Sequence, residues 1–517
     1  MPKVMLTTCY SCTKCKKCVY EKPIMDKGMK NFFGRNFAAL CASLLSALLL
    51  IGCQQYSHTE LLTKSTIQST SVQSSFNAMA PLLLTNDAQW QAFESDLQTA
   101  KNIGLDGISV DVWWGLVEGK GDQQFDWRYY HKMVNLLAKY QLQWIPIMSF
   151  HQCGGNVGDT CDIPIPSWIW THFEGVTADE LKFKSEQGNY ASETLSIWQS
   201  PAVLAETLKQ YQQFMEAFEA EFAHKKDMIQ ELNISMGSAG ELRYPSYNGH
   251  DLGTGYPTRG GIQGFSQQAL ASFEDYLLAK YQTSENVVKT LQLSDLPLMQ
   301  QITALDFESV FNQGRHLKAG LAQEYLTWYN QSLTAHGKRM LTAGHSAFDG
   351  EFEEIPLGYK IPGIHWTIAA PDGLTRSAEL AAGLIAPMDY KRANAWGYKA
   401  MLSIAKGFEM ENGRQVIVHF TALEMSNEPL APAYSRAKTL VNWMAQGAED
   451  LGVTIKGENA LAAGVYSEQG WDNIETALAT HYSGLTVLRV TDIANFERNA
   501  LGLERYRKLI AKAKKSN

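Results

Sequence analysis

The sequence predicts an α/β fold, a (β/α)8 barrel with long loops between its strands and helices. Three observations carry this. From about residue 82 short apolar runs alternate with amphipathic helices, the order that builds a parallel sheet. Roughly eight such units in about 430 residues suit one large barrel. The runs end in polar residues (Asp111, His151, Glu241, His365, Thr421, Glu424 and Arg489), and barrel enzymes gather their chemistry at the C-terminal ends of strands. A doubly wound sheet is the alternative, and it usually carries a glycine-rich phosphate loop. No G-x-G-x-x-G follows an early strand, and the chain has no P-loop and no solenoid repeat.

The elements follow in order. Residues 86–102 read as a helix capped by Asn86 or Asp87. Residues 107–115, "GISVDVWWG", read as a β-branched run ending at an acid, Asp111. A helix over 129–140 precedes the run 142–153, "LQWIPIMSFHQC". A long helix over 201–223 precedes "ELNISMGSAGE", 231–241. Further runs are 359–366, 416–425, either 462–468 or the nearby "GENAL" at 457–461, and 485–492. The domain so outlined covers 81–517.

The N-terminus reads as a targeting segment. Residues 32–51 are apolar, preceded by Lys27 and Lys30 and containing Arg35, the pattern of a signal peptide covering 1–52. Its ending "LIGC", Leu50 to Cys53, resembles a bacterial lipobox. That makes Cys53 the expected first mature residue, acylated and tethered to a membrane. Gln54 rather than Asp after it leans toward the outer membrane of a Gram-negative cell. Residues 53–80, rich in Gln, Ser and Thr, read as a flexible linker. Cys9, Cys12, Cys15 and Cys18 have metal-ligand spacing, yet they precede the signal segment. Met25 or Met29 as the true start removes residues 1–24 altogether. Cys153 and Cys161 flank "GGNVGDT", and a disulfide between them closes a short loop suited to an exported protein.

Composition excludes one class. A net charge of −8 and pI near 5.9 argue against a nucleic-acid binder. The 13 tryptophans fill a core or stack on sugar rings.

The stretch "MGSAGELRYPSY", 236–247, places three small residues before Glu241. Small residues let a ligand approach the backbone, so Glu241 is a candidate catalytic acid. Its alternative role is an ion pair with Arg243 or Arg259. A partner carboxylate could be Glu424 or Glu458, and residue types alone leave these two open.

"DVWWG", "SFHQCGGNVGD", "GSAGELRYPSY", "GIHW", "FTALEM" and "GENAL", in this order across residues 82–492, resemble the signature segments of glycoside hydrolase family 14, the β-amylases. "DQQFDW" and the cysteine pair resemble the bacterial branch. The resemblance implies a (β/α)8 barrel that hydrolyses α-1,4-glucan, starch or maltodextrin, from the non-reducing end and releases β-maltose with inversion. It assigns the general acid to Glu241 and the general base to Glu458, leaving Glu424 to orient other groups. Inversion needs an acid on one face of the sugar and a base with its water on the other. Asp111, His151 and Asp159 match contacts to the terminal glucose, and the glycine-rich 154–159 stretch matches a lid. Lys360, His365, Thr421, Asn459, Ala460 and Arg489 match further sugar contacts. Bacterial relatives carry calcium, and Glu118, Asp122, Gln123 and Glu206 match its ligands, but Lys209 stands where another carboxylate is expected. The chemistry requires no cofactor. The chain ends soon after the barrel, which implies no starch-binding domain and weak adsorption to granular starch.

Overall fold

The computed structural model describes residues 74–516, apart from 156–158, 295–296, 369–374 and 389. The signal segment, Cys53, the cysteines at positions 9, 12, 15 and 18, and most of the linker lie outside these residues.

Eight parallel strands close into a barrel: β1 (Ser75–Met79), β2 (Gly107–Trp113), β3 (Gln143–Ser149), β4 (Leu232–Ile234), β5 (Leu357–Ile361), β6 (Val416–Phe420), β7 (Thr454–Glu458) and β8 (Tyr482–Val487). Each is followed by a helix on the outside: α1 (Asp87–Ile103), α2 (Arg128–Lys139), α3 (Pro201–Phe222), α4 (Leu321–Ala347), α5 (Lys399–Asn412), α6 (Ala437–Leu451), α7 (Glu468–Leu478) and α8 (Phe496–Ser516). Local signals explain the helix ends. Asn86 caps α1 by accepting the Gln89 N–H at 3.0 Å, and Pro201 opens α3 where its missing N–H costs nothing. Among the described residues no helix is long and apolar enough to cross a membrane.

One boundary differs from the sequence reading. β1 lies inside the stretch assigned to the linker, because "SFNAM" lacks a β-branched run and follows a polar tract. Its burial comes from pairing on both sides: Ser75 registers with Gly484 of β8 and Asn77 with Gly107 of β2. The barrel could not close without it. Of the two alternatives for the seventh strand, "GENAL" begins at the end of β7, whereas Ala462–Tyr466 form a 3-10 turn.

The strands are short, so most of the polar run-ends lie just beyond them. Asp111 is still within β2 and Glu458 is the last residue of β7, while Glu241 follows β4 by a tight Ser238–Gly240 turn. Long insertions after β3 and β4 add the hairpin pairing Phe183–Lys184 with Tyr190–Ala191 and the helices Gln267–Tyr281 and Ser284–Leu291. They stand on the side of the barrel where the strands end.

Candidate active site

The two carboxylates singled out in the sequence face one barrel mouth in different electrostatic settings. Glu241 arrives through Gly240, whose φ of +78° suits glycine and whose added Cβ would stand 3.0 Å from the His151 ring. A backbone bond from Leu242 N–H to the Lys360 carbonyl, 2.8 Å, fixes the segment against β5. The Glu241 side chain is 14 % exposed and its Oε2 accepts the Arg243 Nε–H at 2.8 Å. Burial nevertheless holds its pKa above the ordinary value; Arg243 and Lys360 pull it down only in part, and the Glu458 charge pushes it up. The ion pair considered as an alternative role for Glu241 therefore exists, with Arg243, and coexists with a raised pKa. Arg259 pairs instead with Glu186, at 2.6 Å.

Glu458 is nearly inaccessible and has cations for neighbours. Its Oε2 accepts the Lys360 ammonium at 2.9 Å, and its Oε1 stands 3.4 Å from His419 Nδ1. Burial opposes its charge, but Lys360 and His419 outweigh burial and draw its pKa down to about 2. One carboxyl is held toward its protonated form and the other ionised. An acid and a base with this division of labour are what hydrolysis by paired carboxylates requires.

Glu424 is buried and occupied. Both of its oxygens accept the Ala460 N–H at 3.0 Å, and Oε1 also accepts the Leu461 N–H at 2.8 Å. Burial raises it to about 6. It ties down the chain that follows Glu458.

The other sequence-assigned residues fall into two groups. Asp111, His151, Asp159, Lys360 and Arg489 join the cluster around the two carboxylates. Asp111 accepts the Ser149 hydroxyl at 2.8 Å, and burial raises its pKa against the pull of Lys360 and Arg489. His151 Nδ1 lies 2.8 Å from Ser235 Oγ, and its ring stands edge-on to Trp113. Burial, with help from Arg243 and Lys360, lowers His151 to about 3, so it is neutral at pH 7. Asp159 Oδ2 accepts the Gly154 N–H at 2.8 Å and its charge acts on Arg489. Residues 156–158 of the glycine-rich stretch lie outside the described residues. His365, Thr421, Asn459 and Ala460 sit on the loops after β5, β6 and β7. His365 Nδ1 pairs with Ser435 Oγ at 2.7 Å, and burial lowers it to about 4. Thr421 Oγ1 accepts the Gly363 N–H at 2.7 Å, linking two of these loops. Asn459 Oδ1 accepts the Leu488 N–H at 2.7 Å, which holds the segment before Arg489. Ala239, Ala422 and Arg489 have positive φ values of 56°, 75° and 71°. Strain of this kind in non-glycine residues is sustained by surrounding packing and clusters at functional sites.

Sequence reasoning missed His419, Glu231 and Lys456. A histidine in the middle of the apolar "VIVHF" and a lysine in "TIKGE" were the available signals.

Cys153 and Cys161 lie close, with Cα atoms 5.7 Å apart and sulfurs in contact, a separation a disulfide spans. The residues matched to a calcium site do not suit the ion. Glu118 accepts Trp114 Nε1–H and the Gln123 N–H, both at 2.7 Å. Glu206 Oε1 lies 3.2 Å from the Lys209 ammonium and 3.5 Å from His172 Nε2, and the other His172 nitrogen is 3.8 Å from Asp122 Oδ2. Nitrogen groups, one of them the Lys209 ammonium, stand against the oxygens that calcium would need. Among the described residues no group of three or more acidic, His or Cys side chains could hold a metal.

Comparison with known proteins places this geometry. The sequence model of Glycosyl hydrolase family 14 matches residues 78–516. The chain is 36 % identical over 445 residues to a thermophilic beta-amylase of Thermoanaerobacterium thermosulfurigenes, covering 84 % of this chain and 75 % of that protein. It is 37 % identical over 417 residues to a beta-amylase of Bacillus cereus, covering 80 % and 71 %. The crystal structure of the catalytic domain of a Paenibacillus polymyxa beta-amylase superposes with a TM-score of 0.73 at 34 % identity, covering 85 % of this chain and 98 % of that one. Matched along nearly the whole barrel in sequence and in fold, the chain belongs to glycosyl hydrolase family 14.

Proposed function

We propose that the protein is a β-amylase, an exo-acting hydrolase that removes β-maltose from the non-reducing ends of α-1,4-glucan with inversion. The observation that carries this is the opposed setting of Glu241 and Glu458: a carboxyl held toward protonation by burial, and another held ionised by Lys360 and His419. Glu241 protonates the leaving glycosidic oxygen. Glu458 takes a proton from the water that attacks C1 from the opposite face. Asp111, His151, Asp159, Lys360 and Arg489 bind the two terminal sugars, and His365, Thr421, Asn459 and Ala460 line the adjoining positions. A neutral His151 can donate one hydrogen bond to a sugar oxygen or accept one from a hydroxyl.

Incubation with maltoheptaose, followed by proton NMR of the anomeric signal, tests the reading. Initial β-maltose is expected. An initial α-anomer or products of mixed length would contradict it, and binding without product would make the chain a glucan binder.

This chemistry runs without a metal. Lys209 supplies positive charge where relatives are expected to use calcium. A calcium ion bound at 100-fold its Kd would add about 2.7 kcal/mol of stability and raise Tm by several degrees. Neither excess EDTA nor added calcium is expected to shift Tm or kcat; a clear rise with calcium would overturn the proposal.

The mature protein begins at an acylated Cys53, tethered to a bacterial membrane by the linker, with a Cys153–Cys161 disulfide at the base of the lid. The lipobox-like ending and the closeness of the two sulfurs support these points. One mass spectrum of the exported protein checks both. Lipid mass at Cys53 is expected, together with alkylation of Cys153 and Cys161 only after reduction.

A further inference from the structure

Three nitrogen-bearing side chains cross the barrel interior at one level. Register pairs Lys360 of β5 with His419 of β6, and His419 with Lys456 of β7. Residues paired this way on neighbouring strands point to the same face of the sheet. Barrel interiors are usually filled by branched apolar residues, so three potential cations in a row are a departure from simple packing. All three are buried.

Two carboxylates complete the row. Glu231, just before β4 and away from the catalytic mouth, is 1 % exposed. It accepts the Lys456 ammonium at 2.8 Å and contacts His419 Nε2. Glu458, on the mouth side, takes Lys360 at 2.9 Å and faces His419 Nδ1 at 3.4 Å. The order of groups is Lys456, Glu231, His419, Glu458, Lys360, with the imidazole between two carboxylates. A neutral imidazole has one N–H, so it can serve only one of them; the imidazolium serves both. The site has room built for this. A Cβ at Gly358 of β5 would stand 2.4 Å from Glu231 Oε1, so a side chain there would expel the carboxylate.

We infer that Glu231 and His419 are positioning residues for the general base: Glu231 anchors the His419 imidazolium, and this cation, with the Lys360 ammonium, keeps Glu458 ionised and aimed at the attacking water. The inference rests on the reading of Glu458 as the base. Glu231 lies beneath the mouth, where it has no route to substrate, and acts through His419. The electrostatics agree: burial opposes the charge on His419, but Glu231 and Glu458 outweigh it and raise its pKa. Glu231 itself is lowered to about 2, its burial outweighed by Lys456 and His419. The other charged groups that act on Glu458 are Asp111 of β2, Arg489 after β8, and Glu241 beside Arg243 after β4.

The test is the pH dependence of maltoheptaose hydrolysis by Glu231→Gln and His419→Asn. Misaiming the base is expected to lower kcat about 10-fold or more, with KM little changed. Loss of one of two cations beside Glu458 is expected to move the acidic limb of kcat/KM up by about one pH unit. A loss of kcat with the acidic limb unmoved in both variants would make the residues merely structural and overturn the inference, as would unchanged kcat. Nitrogen NMR of the 15N-histidine-labelled wild-type protein reads the same point without any variant having to fold. A doubly protonated His419 at pH 7.5 supports the relay, and a neutral one overturns it. Failure of the wild-type protein to release β-maltose would instead remove the functional reading and leave the imidazolium to be judged by its spectrum.

Discussion

Glu458→Gln is expected to lower kcat on maltoheptaose by about 10²–10⁴-fold, the usual worth of a positioned general base. Glutamine keeps the shape but cannot take a proton from water. Glu241→Gln is expected to lose a similar factor on maltoheptaose, and the two variants separate on a substrate with a better leaving group. α-Maltosyl fluoride needs little protonation as it departs, so Glu241→Gln should recover much of its rate there, while Glu458→Gln should not. Glu424→Gln provides the control. The Glu424 oxygens are taken by the Ala460 and Leu461 N–H groups, and a glutamine oxygen still accepts such bonds. Its cost should be a modest loss of kcat through a looser Glu458 segment. The assignment fails if Glu424→Gln is the inactive variant and Glu458→Gln retains near-full rate. Melting curves accompany these assays, because Glu458→Gln also strips Lys360 of its anion.

Lys360→Met is expected to destabilise the protein by about 3 kcal/mol at pH 7, the low end of the cost of breaking a buried ion pair, because His419 remains beside Glu458. The pH dependence follows from the direction of the shift. The folded-state pKa of Glu458, about 2, lies below its ordinary 4.5. Its ionisation therefore adds stability that is fully present above about pH 4.5 and is lost as pH falls toward 2. Without Lys360 the depression shrinks, so the deficit of the variant should be largest at neutral pH and narrow in acid. Urea midpoints at neutral pH and below pH 4 measure this, and an equal deficit at both would show that Lys360 acts through packing alone. Activity shifts in a related way. Lys360 lowers both Glu458 and Glu241, so its loss raises both and moves the whole bell-shaped profile to higher pH.

Much of this architecture was legible in the chain. Asn86 and Pro201 marked helix starts through local hydrogen bonding and fixed φ, effects that need no distant partner. The apolar runs at 107–115, 142–153 and 416–425 each contained a barrel strand, since strands covered on both faces are continuously apolar. Strand β1 was not legible. Five residues of mixed type carry no pattern, and their burial exists only because β2 and β8 close over them. The ending of each run was also ambiguous, because the strand stops before the polar residues whose chemistry marks the site.

The same division holds at the mouth. Resemblance to the family's signature segments pointed to Glu241, Glu458, Asp111, His151 and Lys360, whereas residue types alone left Glu424 and Glu458 open as partners of Glu241. Their charge states were not legible in the sequence. Whether Glu241 or Glu458 is the ionised partner depends on which cations lie within a few ångströms, and Lys360 and His419 are 98 and 39 positions from Glu458 along the chain. Arg243, two residues from Glu241, looked like a neutralising ion pair, and burial outweighs it. Glu231, His419 and Lys456 read as isolated polar residues in apolar runs until strand register set two of them side by side and the barrel interior placed Glu231 between them. Chain order records which groups exist; strand closure sets the distances, and in a poorly screened interior distance decides which group holds its proton.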